Sequence, residues 1–217
     1  MLLPEFEQTP VFSTLNFNLA IETPSNLTGR LTTINNFLCP SDTVKPSWWA
    51  VNRDTATGAA VQNICQLAPS NYVGMYGTGE PGPAGSGVFF RDSQIALRNI
   101  TDGSSQTILV GERSHRLGEA TWVGSVTNAI LYPTDGDNIG RYVPETSPGM
   151  VLGHAGEGHG PGDPRSDVNQ FYSLHYGPGV NFLFADGHVM FLKASMNYRT
   201  YLALATRAGG EVISGDY

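Results

Sequence analysis

The chain has 217 residues, 40% of them hydrophobic and 14% charged, and a formal net charge of −7. That balance excludes a disordered polymer. An acidic excess without a cluster of Lys or Arg also excludes a nucleic-acid surface, because phosphate neutralisation needs one. Its 26 glycines and 14 prolines predict many turns and few long helices, and the length suits a single domain over 1–217.

Residues 1–23 read as the remnant of a helical region and its exit, with Pro4 in the first turn and Phe6, Phe12, Leu15 and Phe17 as apolar contacts. Leu27 to Cys39 leads, as helix or extended chain, into a turn at Pro40-Ser41-Asp42. Residues 42–63, polar around Trp48-Trp49, read as an excursion. Tyr72-Val73-Gly74-Met75-Tyr76-Gly77 alternates apolar and small residues, which predicts a strand with close backbone neighbours. The glycines and prolines of 78–87 predict a loop. Further strands are predicted at 87–91, 107–112, 120–126 and 129–132. Residues 133–170, rich in Gly, Pro and Asp, form a long polar insertion of the kind that is usually functional.

The strongest local signal is Asn181-Phe182-Leu183-Phe184-Ala185-Asp186-Gly187-His188-Val189-Met190-Phe191-Leu192, two apolar runs around Asp-Gly. It predicts a hairpin with a two-residue type I′ turn at Asp186-Gly187. Phe184 then faces Val189 and Phe182 faces Phe191. Both faces are apolar, so the hairpin is expected to be central and covered on both sides. Ser195 is the expected cap of a helix from about Met196 to Ala208, stopped by Gly209-Gly210. The fold class is therefore α+β and β-rich: antiparallel sheet, a C-terminal helix after a central hairpin, and long irregular loops.

Several residues qualify for chemistry. Asp186 beside His175 could act as a general acid or base, although Asp in such a turn ordinarily serves its own backbone. Glu112 and Glu119 form the densest carboxylate region. Either one, paired with Asp186 across sugar-sized space, would suit glycoside hydrolysis, with Trp48, Trp49 and Trp122 as stacking faces. The plainer alternative is that Glu112 pairs with Arg113 or Arg116. His154, His159, Asp163 and Asp167 offer metal ligands in a glycine-rich loop that cannot hold the helical zinc-protease pattern. Asp135, Asp137 and Asn138 surround Gly136 on a tight turn and are the best calcium candidate, without a complete EF-hand. There is no Gly-x-Ser-x-Gly elbow and no phosphate loop.

Short blocks along nearly the whole chain carry a resemblance. They are Leu2-Leu3-Pro4 with Glu7-Gln8, Phe37-Leu38-Cys39-Pro40-Ser41-Asp42, Ser70-Asn71-Tyr72, Gly87-Val88-Phe89-Phe90, Ile100-Thr101-Asp102-Gly103-Ser104-Ser105 and Val110-Gly111-Glu112-Arg113-Ser114. The last run is His175, Gly177-Pro178-Gly179, Val180 to Gly187, and Thr206 to Ile213. In this order they resemble a planctomycete pseudopilin-like family of the DUF1559 type, whose C-terminal signature is His, nine residues, Asp-Gly. Here ten residues separate His175 from Asp186.

The resemblance implies a pilin-like globular head, located in the cell envelope or outside the cell, with other pseudopilin-like subunits or envelope components as partners. It implies no catalysis. It also implies a basic leader and a long apolar helix. The sequence opens at Met1-Leu2-Leu3-Pro4, and no window reaches the roughly 18 apolar residues of a span, so the expectation is a leaderless fragment or a soluble derivative. An exported location would permit a disulfide between Cys39 and Cys65, contributing roughly 3–4 kcal/mol. No Cys-x-x-Cys or matching His spacing accompanies these cysteines, so zinc is not expected there. The calcium candidate loosely resembles the calcium loops of major pseudopilins. Two other functions stay open: a glycoside hydrolase acting on polysaccharide, and a carbohydrate-binding module.

Overall fold

The expected hairpin is present, with a different turn. In a computed structural model that describes residues 3–133, 143–211 and 213, Phe184 N donates to His188 O at 2.9 Å and Gly187 N to Phe184 O at 3.0 Å. The loop is thus Ala185-Asp186-Gly187. Gly187 alone of the three takes a positive φ, 95°, so the turn closes in three residues instead of two. The register moves by one, setting Leu183 opposite Val189 and Phe182 opposite Met190. Such a slip reassigns faces. Val180, Phe182, Phe184 and Leu192 are buried together, while Val189 and Phe191 remain 64% and 36% exposed. Cover on both sides is therefore not found at the second strand of the hairpin.

The strands in chain order are β1 (Trp48–Arg53), β2 (Ala60–Leu67), β3 (Tyr72–Thr78), β4 (Ile108–Glu112), β5 (Ile130–Leu131), β6 (Glu145–Thr146), β7 (Leu152–Ala155), β8 (Gly179–Phe184) and β9 (Val189–Lys193). The helices are α1 (Thr9–Phe12), α2 (Leu27–Arg30) and α3 (Tyr198–Ala205). The main sheet runs β7-β3-β4-β8-β9. Only its β3–β7 pair is parallel. β1–β2 and β5–β6 form separate antiparallel pairs. The α+β, β-rich architecture is as expected. Among the described residues no helix is long and apolar enough to cross a membrane.

Several elements differ from the sequence reading. The polar excursion at 42–63 holds β1 and the start of β2, which was hard to see because the first four residues of β2 are all exposed. β7 lies within the supposed insertion. No strand forms at 87–91; instead Gly87 N and Phe89 N donate to Tyr76 O and Met75 O as an irregular segment against β3. None forms at 120–126 either. The cap of α3 is Asn197, whose side chain accepts from the backbone N of Arg199 and Thr200. The helix stops at Ala205 because Thr206 is already extended and Arg207 is drawn off toward the carbonyls of Gly85 and Gly87.

Three apolar cores result among the described residues. α3 lays Tyr201, Leu204 and Ala205 on Val73, Met75, Ile108, Phe182 and Phe184 of the sheet. Trp48, Cys65, Leu67, Leu131, Met150 and Val168 form a second core under the β1–β2 hairpin, and Leu3, Leu15 and Ile34 a third. Between the first two lies Arg113, fully buried, its Nε donating to Gln170 O at 2.8 Å and its other nitrogens to Gly149 O and to Leu152 O at 2.9 Å. It does not pair with Glu112.

Gly111 shows how tightly β4 is held. A Cβ there would come within 2.5 Å of both the Phe171 and Phe182 rings, too close for an L side chain without backbone movement. Gly111→Ala is expected to lower unfolding free energy by about 1–3 kcal/mol in urea titrations; an unchanged midpoint would show that the rings give way freely.

Candidate functional site

β4 ends at Glu112 opposite Tyr72, and the chain before β8 brings His175 over that end. His175 Nε2 lies 2.9 Å from Glu112 Oε1. The other carboxylate oxygen, Oε2, accepts from Asn181 N at 2.9 Å and Asn181 Nδ2 at 3.1 Å. The 3-10 turn Asn35–Phe37 delivers Cys39, whose Sγ is 3.6 Å from the same His175 Nε2. Cys39 N donates to Asn71 Oδ1 at 2.9 Å, and Asn71 Nδ2 donates to Asp42 Oδ2 at 2.7 Å. Asp42 Oδ1 in turn meets His115 Nδ1 at 2.7 Å. Cys39, Asn71 and Glu112 are buried, while His175 keeps one edge toward solvent.

The chemistry of this cluster is constrained. A nucleophilic triad uses both imidazole nitrogens, one for the nucleophile and one for the acid. Here thiol and carboxylate address a single nitrogen, so no relay exists. Burial pushes the Cys39 thiol up, and the charges of Glu112 and Asp42 push the same way, the opposite of an activated thiolate. Tyr72 beside it is raised to about 12 by burial and by Glu112. These contacts brace the thiol, carboxylate and imidazole against one another.

The other expected residues fall elsewhere. Asp186 serves its turn, accepting from His188 N at 3.1 Å and facing His188 Nδ1 at 2.6 Å. The His188 backbone bond, then its side chain, hold the Asp186 carboxyl below the usual range. Glu112 lies at the far end of β4 from Ile108, which pairs with Phe184 next to that turn. Glu112 is bonded there to His175 and Asn181, whereas Asp186 is bonded to His188 at the turn. The contacts of Glu112, His175 and Asp186 do not join Asp186 to either of the other two. Glu119 stands near His115, Lys45 and Asp42, and burial raises its carboxyl to about 7.

His154, His159, Asp163 and Asp167 do not form one site. His159 faces Asp163, which is held by Arg165. His154, wholly buried, meets Glu80 Oε1 at 3.2 Å. Glu80, Glu145 and Asp167 gather in a second cluster, where Asn169 Nδ2 donates to Glu80 Oε2 at 2.6 Å and to Glu145 Oε2 at 3.1 Å. The His154 hydrogen bond lowers Glu80 to about 2, whereas burial and the Glu80 charge raise Glu145 to about 8. Asp135, Asp137 and Asn138 lie outside the described residues. The disulfide is not formed: Cys39 and Cys65 are both free and buried, one against His175 and the other in the second core.

A groove of about 870 Å³ crosses the open face of the sheet, lined by Phe37, Phe89, Val110, Trp122, Val151 and Leu152 among others. Trp122 Nε1 donates to Thr32 O at 3.2 Å, fixing the indole at the rim.

Sequence reasoning did not assemble Cys39, Asn71 and Asn181 with Glu112 and His175, and it did not single out Glu80 or Glu145. A signal for the first group was present. Four of the blocks that carry the family resemblance each send a polar side chain to this one point.

Fold and site together define a β-rich α+β protein with a braced thiol–carboxylate–imidazole cluster at the end of its middle strand. Residues 1–199 match the family described as proteins of unknown function, DUF1559, and the chain belongs to that family. No curated protein and no solved structure matches it.

Proposed function

We propose that this chain is the non-catalytic globular head of a pseudopilin-like cell-envelope protein, working by surface contact in a filament or secretion assembly. The observation that carries this reading is the groove across the open sheet face, walled by aromatic and branched side chains, with Arg91 its one charged lining residue among the described residues. Apolar concavities of this size take up partner segments or ligands. The acids and histidines of the two clusters are engaged with one another deeper in the fold, which further favours binding over turnover. Location at the envelope or outside the cell, and pseudopilin-like partners, follow from the family resemblance.

Val110→Glu is the test, made in the cells that produce the protein. Val110 is only partly buried, so stability should change by less than about 1 kcal/mol. Cross-linking to pilin-like subunits should fall about tenfold or more. Unchanged cross-linking would remove the groove from the assembly. Hydrolysis of chromogenic glycosides by the wild type, lost in Glu112→Gln, would overturn the non-catalytic reading. A carbohydrate-binding role is the second reading, favoured by Trp122 beside the hydroxyls of Ser125, Thr127 and Ser147 at the same groove. Retardation on polysaccharide gels, lost in Trp122→Ala, would select it.

A further inference from the structure

We infer that Cys39, Glu112 and His175 bind one divalent transition-metal ion of the zinc class, through Sγ, Oε1 and Nε2. Three separate segments supply them: the loop after Asn35–Phe37, the end of β4, and the stretch leading into β8. The three ligating atoms lie within 4.8 Å of one another. A tetrahedral zinc ion with ordinary bond lengths separates thiolate sulfur from imidazole nitrogen by about 3.5 Å, and imidazole nitrogen from carboxylate oxygen by about 3.3 Å. The distances here are 3.6 Å and 2.9 Å. Sulfur and nitrogen are already placed, and the carboxylate needs to withdraw by only a few tenths of an ångström.

The donor set points to the same class of ion. A thiol, an imidazole and one carboxylate oxygen suit a borderline-soft metal, whereas calcium and magnesium call for oxygen alone. Thiol and carboxylate converge on one ring nitrogen, a poor arrangement for a single N–H and a natural one for a shared ion. The surroundings supply the supports that metal sites use. Asn181 holds Glu112 Oε2 from two directions and leaves Oε1 free to turn inward, and Asn71 anchors the Cys39 backbone. His175 is partly exposed, and water would complete the tetrahedron. In the second cluster, Glu80, Glu145 and Asp167, the neighbouring His154 nitrogen is already bonded to Glu80, and the amide of Asn169 occupies two of the carboxylates.

The experiment uses the full chain, stripped with a chelator and titrated with cobalt(II) and with zinc(II). One equivalent of cobalt should bind with a sulfur-to-metal charge-transfer band. Cys39→Ser should abolish that band. Glu112→Gln should weaken binding about tenfold or more, and Cys65→Ser should change neither. Absence of the band in the wild type, or its persistence in Cys39→Ser, would overturn the assignment. Should Cys39→Ser fail to fold, peptide mapping after alkylation of the wild type decides: zinc should protect Cys39 and not Cys65, and equal labelling with and without zinc refutes the site. The result is independent of the groove, so Val110→Glu should bind metal as the wild type does.

Discussion

Arg113→Met should cost more stability than either Gly111→Ala or Val110→Glu. Its guanidinium is wholly buried and donates to three backbone carbonyls, those of Gly149, Leu152 and Gln170. Burial pulls its pKa down to about 9, opposed by the charge of Glu145, yet it remains protonated at neutral pH. Methionine fills similar volume and supplies no donor. Three carbonyls would then be left in a water-poor interior, each costing about 1–3 kcal/mol, partly relieved where solvent can enter. A loss of roughly 3–5 kcal/mol is expected, a large share of the 5–15 kcal/mol typical of a domain. Urea unfolding measures it. Arg113→Lys keeps the charge without the planar fork and should fall between the two. A loss below about 1 kcal/mol in Arg113→Met would mean that these carbonyls find other donors.

Glu145→Gln should stabilise the protein in alkali and do little in acid. Burial, then the neighbouring Glu80, lift the Glu145 carboxyl from 4.5 to about 8 in the folded state. Below about pH 4.5 it is protonated whether folded or not, and its contribution is at its fullest. Between about 4.5 and 8 the unfolded chain gives up that proton while the native state keeps it, so stability falls as pH rises. Above about 8 the curve flattens. Glutamine copies the protonated acid and removes this slope. The gain at pH 8.5 should be roughly 2–3 kcal/mol, less than the full span of the shift because half-exposed Glu80 is screened by water. Thermal melts of both proteins at pH 5 and pH 8.5 test it: equal gains at the two pH values would show that the acid is ionised throughout. Glu119→Gln should act in the same direction over a window ending near 7, since burial raises that carboxyl too.

What the sequence made legible follows from where the information lies in the chain. The hairpin and the helix after it are local, written in Asp186-Gly187 and in the helical spacing of Tyr198, Tyr201, Leu202 and Ala205, and both are found. Their details are tertiary. The turn closes as three residues because Ala185 N and Asp186 N bond to Thr107 O and Ser104 O, contacts far away in sequence. The helix ends early because Arg207 is claimed by Gly85 and Gly87. β1 and β2 were hidden by exposed polar residues, and β7 by its parallel partner, which no neighbouring pattern announces. The cluster at Cys39, Glu112 and His175 was half seen. Ligand-spacing rules register donors a few residues apart and are blind to three that meet only after folding. The disulfide failed for the same reason: distance along the chain says nothing about which wall a thiol faces.

The order of the main sheet has a consequence for biosynthesis. β4 occupies its middle, yet β7, the second neighbour of β3, lies some forty residues after β4, and β8, which completes the pairing of β4, comes later still. While the ribosome is still working toward residue 184, Val73, Met75 and Ile108 have been made and have nothing to close over them. Pairings so distant in the chain slow folding and lengthen the life of exposed apolar intermediates. The main sheet can therefore close only once the last third of the polypeptide has been made.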